Sequence, residues 1–483
     1  MRVFNTLTRK KEEFTPLREG RVGMYVCGIT AYDVCHVGHA RSAVVFDVVS
    51  RYLRSRGYDV TYVKNFTDVD DKIIERANRE QTGIAEIAER FIAEHNQDME
   101  ALGVEPPTVT PRATEHIAGM IRLVETLLAK GLAYRVDGDV YFAVDKFPGY
   151  GRLSGRGLED MLAGARVDVN EKKRNPLDFV LWKASKQGEP WWESPWGQGR
   201  PGWHLECSVM SQRYLGDSFD IHGGGEDLVF PHHDNEIAQS EAATGKPLAR
   251  YWLHNGFVRV NSEKMSKSLG NFFTIREILK QYRPEVLRLF LLASHYRSPV
   301  DFSDAALAEA RQGMERFYST LKALRDQAAH GQAPPEGSAT EREIVDHLAG
   351  LRGRFCEAMD DDFNTARAIG YLFDTVRLLN AALADKKAVL SRQVLTQAEQ
   401  SLREIGAVLG LFGEEPDVYL RRDREAEAQK RGIDPAEVEA LIAERRASRE
   451  AKAWQRADEI RQGLAARGVV LKDSPAGTTW SIP

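Results

Sequence analysis

Three residues near the start of the chain, His36, Gly38 and His39, are of types that bind phosphate. Residues 21–26 before them have the pattern of a short strand, and the apolar residues after them recur at helical spacing. Ligands of open α/β sheets bind where a strand passes into a helix. Gly38 would let the backbone approach a flat or anionic ligand, and the helix start offers its N–H groups. On this segment alone, an ordinary turn with two structural histidines is an equally good interpretation.

A second candidate segment lies far downstream, where Lys264, Ser266, Lys267 and Ser268 precede Gly270. Two lysines and two hydroxyl groups on a loop can neutralise and hydrogen-bond a triphosphate, whose leaving pyrophosphate gains negative charge as the α-phosphate is attacked. A lysine–serine run by itself is more often a solvated loop. Its significance comes from its pairing with the two upstream histidines.

Together, the two segments resemble the signature pair of the class I aminoacyl-tRNA synthetases. The resemblance implies an α/β fold with a Rossmann-like parallel-sheet catalytic domain. It also implies that ATP is bound and its phosphate charge stabilised by residues of both segments. The implied catalytic residues are His36, His39, Lys264 and Lys267, and the implied ATP-binding residues are these four with Gly38 and Ser266.

Residues with the side chains of a metal site occur at Cys27, Cys207, His232 and Glu236. We expect Pro231 to take the first position of a helix, so that His232 and Glu236, four residues apart, share one helical face. The two cysteines would come from separate loops. Two sulfurs, one imidazole and one carboxylate suit zinc. The spacing also allows a simpler interpretation, because a helical His/Glu pair is commonly polar surface.

Three segments, residues 24–30, 202–207 and 230–236, narrow the resemblance to the cysteinyl-tRNA synthetase family. In that family, residues that match the four metal-site candidates hold one zinc ion, which binds the thiolate of the substrate. Other family residues wall the amino-acid pocket and hold the ammonium group, and they match Thr67, Trp203 and Asp227. Residues 60–65 have the pattern of a second parallel strand, and Thr67 follows its end. A structural alternative is that Thr67 or Asp68 caps the helix that comes next.

The implied reaction has two steps. L-Cysteine and ATP, with Mg²⁺ expected beside the phosphates, give cysteinyl-adenylate and pyrophosphate, and the terminal ribose of tRNA(Cys) then receives the cysteine. Zinc gives a physical basis for rejecting serine. A difference in pocket fit of about one methylene is worth only ~1–3 kcal/mol, whereas a thiol loses its proton on zinc far more readily than a hydroxyl does.

Composition limits the class of protein. The length of 483 residues suggests about three domains at roughly 150 residues each. Hydrophobic residues at 42% and charged residues at 28% are typical of a globular protein. A net charge of -5 argues against a uniformly basic surface, so an RNA partner would meet local patches. No apolar run approaches the ~20 residues that span a bilayer, and we expect a cytoplasmic monomer without membrane contact.

The motifs and periodicity suggest a division of the chain. We expect the two halves of the catalytic domain at 1–105 and 201–262, a connective insertion at 106–200, the lysine–serine loop with a stem-contact region at 263–302, a helical bundle on the anticodon side at 303–420, and a small anticodon-binding module at 421–483. Within the insertion, Asp137 and Gly138 between alternating apolar runs predict a hairpin.

Two basic stretches are candidates for contact with tRNA. In the insertion, Lys172, Lys173 and Arg174 occur with Trp182, Trp191, Trp192 and Trp196, and these residues could contact an acceptor end by charge and stacking. Packing is the more common role of such tryptophans. In the tail, a basic series from Arg445 to Arg467 surrounds Trp454, and a solvated helical face explains the series equally well.

Two other functions remain open from the sequence. A related ligase joins cysteine to an amino sugar in mycothiol synthesis and would share the zinc and ATP residues, but it generally lacks the long tail found here. A catalytically dead RNA-binding relative would be damaged at His36, His39 or Lys267, and all three are intact.

Overall fold

The computed structural model describes residues 1–157, 172–260, 263–264, 273–330, 338–385, 388–474 and 477–482. They form two compact units. The first comprises Met1–Ala310, Asp346–Thr375 and Glu404–Leu411, and the second comprises Arg311–Val345, Val376–Arg403 and Phe412–Pro483. The predicted site residues that the structure describes all belong to the first unit, and Ser266 and Lys267 lie outside the described residues.

The first unit is an α/β structure. Its strands are β1 (Arg2–Asn5), β2 (Lys10–Glu13), β3 (Arg21–Thr30), β4 (Asp59–Thr67), β5 (Ala133–Val136), β6 (Asp139–Phe142), β7 (Phe179–Ala184), β8 (Gly199–Pro201), β9 (Phe219–Gly225), β10 (Ala249–Asn255), β11 (Val258–Val260), β12 (Glu263–Lys264) and β13 (Val300–Phe302). The helices up to residue 292 are α1 (Val37–Ser55), α2 (Asp71–Glu80), α3 (Ile84–Ala101), α4 (Ile117–Ala129), α5 (Trp203–Leu215), α6 (Asp234–Thr244), α7 (Ile275–Gln281) and α8 (Pro284–Leu292).

The central sheet has the strand order β10-β9-β3-β4, and all neighbouring pairs are parallel. The predicted parallel-sheet catalytic fold is therefore confirmed. Parallel strands covered on both faces are largely apolar, and this explains fully buried residues such as Val26, Val63 and Ile221. The carboxyl ends of β3, β4, β9 and β10 meet at one edge, where ligands of such sheets bind.

The insertion contains the predicted hairpin. Strands β5 and β6 pair antiparallel across Asp137 (φ 49°) and Gly138 (φ 85°). Both residues have positive φ, as a two-residue hairpin turn requires. Trp182 is fully buried in this region, so packing is its role, whereas Trp191 remains 49% exposed.

Helix α1, which begins at the histidine segment, is held by two buried arginines. Arg41 donates to the carbonyl oxygens of Leu291, His295 (2.9 Å), Tyr296 (3.2 Å) and Ser298 (3.3 Å). Arg288 lies 2.6 Å from Asp47 on the same helix. Carbonyls at a helix end lack intrahelical partners, and Arg41 satisfies such groups where α8 ends. These contacts fix the helix that carries the candidate ATP site.

Burial of His95 on α3 predicts an acid-sensitive fold. Burial lowers its pKa to about 3, aided by the charge of Lys64, and its ring packs edge-on against Phe66 at 5.1 Å. The unfolded chain, with a histidine pKa near ~6.5, binds the proton more readily. The contribution of His95 to the free energy of unfolding is therefore fully present above about pH 6.5. It is lost as the pH falls toward 3, by up to about 1.4 kcal/mol per pH unit. Urea unfolding from pH 7.5 to 4.5 should show a shallower loss for His95→Gln, and an equal loss in both proteins would contradict this.

The helices after residue 303 are α9 (Asp304–His330), α10 (Ala339–Asp360), α11 (Thr365–Ala384), α12 (Arg392–Leu409), α13 (Pro416–Lys430), α14 (Pro435–Glu450) and α15 (Trp454–Ala466), followed by the hairpin β14 (Val470–Ser474) and β15 (Gly477–Ser481). Asp434 is the N-cap of α14, and its side chain accepts from the Ala436 N–H at 2.9 Å. None of the helices within the described ranges is long and apolar enough to cross a membrane.

Much of the basic series in the tail is used inside the second unit. Arg445 lies 2.8 Å from Asp473, Arg456 lies 2.8 Å from Glu444, and Arg467 lies 2.8 Å from Glu437. These ion pairs favour the interpretation that the three arginines belong to a solvated protein surface over the interpretation that they contact tRNA. Trp454 is 58% exposed.

Candidate active site

The first site segment is the turn between β3 and α1. His36 is the N-cap of α1: its Nδ1 accepts from the Gly38 N–H at 3.0 Å, and its own N–H donates to His39 Nδ1 at 3.3 Å. The two rings stack with centroids 3.8 Å apart. The sequence pattern thus produces a reciprocal capping arrangement that fixes both imidazoles at a helix N-terminus, where anions are favoured.

Both histidines are neutral near pH 7. Burial lowers the pKa of His36 to about 4, although the charge of Asp227 opposes this. Burial lowers the pKa of His39 well below its usual value, and repulsion from His36 and His95 in their protonated forms and from the charge of Lys64 acts in the same direction. Both rings can therefore donate a hydrogen bond to a phosphate while carrying no positive charge themselves.

The second site segment is described only in part. Lys264 ends β12, whose backbone pairs with Arg259 of β11, while Ser266 and Lys267 lie outside the described residues. The chain immediately after them is bonded to the histidine turn: the Val37 N–H donates to Phe273 O at 3.1 Å, and the Ile275 N–H donates to Cys35 O at 3.1 Å. The chain leaving the lysine–serine segment is thereby joined to the turn that carries His36.

Cys27 lies at a β-bulge in β3, which corrects the prediction of a loop. The pairing of β3 with β4 shifts register between Val26 and Ile29, and the Gly28 N–H donates to Asn65 Oδ1 at 2.9 Å. Bulges re-aim a side chain without ending the strand. The strand consequently continues to Thr30 instead of ending at Val26, and Cys27 is only 8% exposed.

Replacing Gly28 with alanine should disrupt this bulge. An added Cβ would lie 1.5 Å from the carbonyl oxygen of Asn65, so the backbone of β3 or β4 has to move. Overpacking of this kind costs about 1–3 kcal/mol and displaces Cys27. Denaturant unfolding and metal content of Gly28→Ala test this, with Gly83→Ala, which meets nothing within 4 Å, as the control. Unchanged stability and metal content would contradict the role assigned to the bulge.

Two further predictions about backbone at the metal site are wrong. Cys207 lies in helix α5, which already begins at Trp203, and not in a loop. Pro231 is not the first helical residue: it follows a cis peptide bond within the turn Val229–His233, and α6 begins at Asp234. His232 still reaches Glu236, with Nε2 2.9 Å from Oε1.

The four predicted metal ligands converge. Cys27 Sγ lies 3.6 Å from Cys207 Sγ, 3.5 Å from His232 Nε2 and 3.4 Å from Glu236 Oε1. All four side chains are buried, and their ligand atoms lie within 4.8 Å of one another. This group can hold a metal ion. The alternative that His232 and Glu236 are polar surface is wrong, since their side chains are 1% and 0% exposed.

Histidines that the sequence analysis did not assign surround these ligands, and two of them, His222 and His233, are buried. His222 Nε2 lies 2.9 Å from Glu236 Oε2, and His204 Nδ1 lies 2.8 Å from His232 Nδ1. His233 also approaches Cys27 and, with His222, forms a second group that shares Cys27 and Glu236. Partners of this kind orient metal ligands. The one sequence signal was the occurrence of His204 and His233 inside the matched segments 202–207 and 230–236, and His222 lies outside all three segments.

The protonation of the two thiols differs. The hydrogen bond from Cys27 lowers the pKa of Cys207 to about 6, whereas burial raises the pKa of Cys27 well above its usual value. Burial lowers the pKa of His232, but the carboxylate of Glu236 and the contact with Cys207 outweigh it and raise it to about 10. Cys207 is therefore the thiolate of the pair, and a metal ion would displace protons from the other groups.

Of the three predicted amino-acid-binding residues, Trp203 contacts a residue of this group, Thr67 contacts the neighbour of Cys207, and Asp227 interacts with the histidine turn. Trp203 is 38% exposed, and its ring stacks on His232 with centroids 4.2 Å apart. Thr67, at the end of β4, donates its hydroxyl to Glu206 Oε2 at 2.6 Å. Asp227 is exposed in the turn after β9, and its charge acts on His36.

Capping of α2 by Thr67 or Asp68 is not observed. Asp70 is the N-cap, and its side chain accepts from the Lys72 N–H at 2.9 Å. Asp68 instead accepts from the backbone N–H and the hydroxyl of Thr114 at 3.0 and 2.5 Å. The hydroxyl of Thr67 is left at the edge of the sheet beside the metal-site group.

Comparison with known proteins identifies the family. A family model described as the tRNA synthetases class I (C) catalytic domain matches residues 13–312. The cysteine--tRNA ligase of Geobacter sulfurreducens is 60% identical over 482 residues, which cover 100% of this chain and 99% of that protein. That of Pelobacter propionicus is 58% identical over 491 residues with the same coverage. The chain belongs to the cysteine--tRNA ligase family. It also matches a DALR domain at 354–413 and the cysteinyl-tRNA ligase anticodon binding domain at 435–480.

Solved structures agree on the fold. Methionyl-tRNA synthetase of Mycobacterium tuberculosis, in complex with methionyl-adenylate, superposes with a TM-score of 0.59 at 17% identity, covering 86% of this chain and 94% of that one. Arginyl-tRNA synthetase of Thermus thermophilus gives 0.55 at 14% identity, covering 85% of both. This chain therefore shares its fold with synthetases named for other amino acids.

Proposed function

We propose that this protein activates L-cysteine with ATP and transfers it to tRNA(Cys), selecting cysteine through a zinc ion held by Cys27, Cys207, His232 and Glu236. The observation that carries the proposal is the convergence of these four buried side chains within 4.8 Å of one another, at the sheet edge that also carries His36 and His39. An amino acid and ATP bound at one edge can react directly, because proximity supplies much of the rate.

The donor set fits zinc. Bonds of ~2.0–2.3 Å in a tetrahedral site put neighbouring ligand atoms about 3.3–3.8 Å apart, and three of the distances here are 3.4, 3.5 and 3.6 Å. The group formed by Cys27, His222, His233 and Glu236 is a poorer candidate. It offers one sulfur, whereas the first group offers two, and thiolates favour zinc. When bound there, zinc would hold the substrate's sulfur as thiolate and so would serve recognition of cysteine.

The residues of this chain bind and orient ATP. His36 and His39 donate hydrogen bonds to its phosphates. Lys264 and Lys267 neutralise the pyrophosphate as it leaves and Ser266 hydrogen-bonds it, with Mg²⁺ accompanying ATP. Gly38 keeps the helix start open to the nucleotide. Thr67 and Asp227 hold the ammonium group of cysteine, and Trp203 closes the pocket over His232.

The tRNA end reaches the pocket along the insertion. A cavity of about 590 Å³ beside Trp203 is lined by Lys172, Lys173 and Lys183, cations suited to a phosphate backbone. The division into six segments predicted from the sequence is part of this proposal, with the anticodon read by the tail. The protein acts as a monomer in the cytoplasm.

The test is cysteine-dependent exchange of pyrophosphate into ATP, run beside transfer of labelled cysteine to tRNA(Cys) and to glucosaminyl-inositol. We expect exchange and transfer to tRNA. Transfer only to the amino sugar would assign the chain to mycothiol synthesis, and absence of exchange by folded, zinc-loaded protein would overturn the adenylation proposal.

A further inference from the structure

We propose that Glu206 is a positioning residue that makes the hydroxyl of Thr67 a dedicated acceptor for the ammonium group of the substrate. This inference deepens the proposed function and rests on it. It assigns selectivity for a free α-amino group to a residue that neither binds the metal nor touches ATP.

The position of Glu206 follows from helix α5. Trp203, Glu206 and Cys207 lie within one turn of it, so a wall of the pocket, a metal-site thiol and this carboxyl group come from the same short segment. Glu206 is 1% exposed. Its carboxyl group is therefore screened from solvent, next to Cys207 in the chain and in contact with Thr67.

The contact with Thr67 sets the direction of a hydrogen bond. The Thr67 hydroxyl has one proton, which it donates to Glu206 Oε2 at 2.6 Å. A hydroxyl has one donor and two acceptor sites, so only the lone pairs of Thr67 remain for a ligand. An ammonium group can only donate hydrogen bonds. A Thr67 hydroxyl whose proton is already given to Glu206 can only accept them, so the two groups are complementary.

The second oxygen of Glu206 points to the same conclusion. Among the described residues, Oε1 is buried without a hydrogen-bond partner, and Glu206 forms no ion pair with Lys, Arg or His. Its acidic neighbours are satisfied elsewhere, since Asp68 accepts from Thr114 and Asp70 caps α2. A buried polar oxygen without a partner is costly. A donor-only, positively charged ligand beside Thr67 would relieve that cost.

The test separates the amino group from the rest of the ligand. L-Cysteine and 3-mercaptopropionate share thiol and carboxylate, and only cysteine has the ammonium group. In pyrophosphate exchange, Glu206→Met should raise the KM for cysteine at least tenfold while changing kcat less than threefold. The inhibition constant of 3-mercaptopropionate and the zinc content should stay within twofold of wild type. Glu125→Met, at an exposed position of α4, is the matched control.

A double-mutant cycle distinguishes positioning from general damage. Thr67→Val should cause the same selective loss, Thr67→Ser should not, and Glu206→Met with Thr67→Val should be no worse than either single variant, because Glu206 acts through Thr67. Should Glu206→Met fail to fold, Glu206→Asp, which shortens the side chain and breaks the 2.6 Å bond, has the same expected result.

Either of two results overturns the proposal for Glu206: equal weakening of both ligands, or additive losses in the double variant. Failure of the proposed function is recognised separately, because zinc-loaded wild-type protein would then show no exchange at all.

Discussion

Replacing Cys207 with serine is expected to remove the bound metal and to lower cysteine-dependent pyrophosphate exchange by on the order of 10³-fold. This loss is larger than the roughly 10–100-fold cost of replacing a residue that only hydrogen-bonds to a metal ligand. Cys207 is the buried thiolate of the pair, 3.6 Å from Cys27. A serine hydroxyl stays protonated and is a poor ligand for zinc. Metal content and exchange, measured on the same preparation, test the prediction.

The matched control is Cys356→Ser, because Cys356 lies outside both groups that could hold a metal. It should keep full metal content and activity. Retention of metal and exchange by Cys207→Ser would contradict the ligand set, and loss of both in Cys356→Ser would show that cysteine substitutions act through stability.

Replacing His39 with asparagine is expected to lower kcat for exchange by about 10²–10³-fold, the cost of removing one preorganised hydrogen-bond donor to developing charge. The KM for cysteine should change less than threefold, because the amino-acid pocket is intact. Asparagine can still accept from the His36 N–H, which now lies 3.3 Å from His39 Nδ1, so the helix cap is kept while Nε2 is lost.

His95→Gln serves as the control for His39→Asn, since His95 is a buried histidine of α3 outside the turn. It should leave exchange at pH 7.5 nearly unchanged. A His39→Asn variant with normal kcat and raised KM would contradict a role in the transition state and would place His39 in ground-state binding only.

Periodicity and motif order were sufficient to predict the parallel sheet, helix α1 and the hairpin at Asp137 and Gly138. The family resemblance predicted that Cys27, Cys207, His232 and Glu236 form one group, although those residues are spread over more than two hundred positions. Sequence spacing by itself contains no information on which distant cysteines meet.

The local backbone at the site could not be predicted for physical reasons. A β-bulge at Gly28 depends on its fit against Asn65, and a helix start at Trp203 has no side-chain cap to announce it. Nor does the sequence show that His222 and His233 pack around Glu236. The contact between Glu206 and Thr67 joins residues 139 positions apart, so it becomes visible only in the folded chain.

Direct binding of the substrate's thiol at the metal can be observed by replacing zinc with cobalt(II) and recording the absorption spectrum. We expect thiolate-to-cobalt charge-transfer bands from Cys27 and Cys207 that intensify when L-cysteine is added and do not change with L-serine. A spectrum that is unaffected by cysteine, from protein that still catalyses exchange, would contradict the claim and leave the metal a structural role.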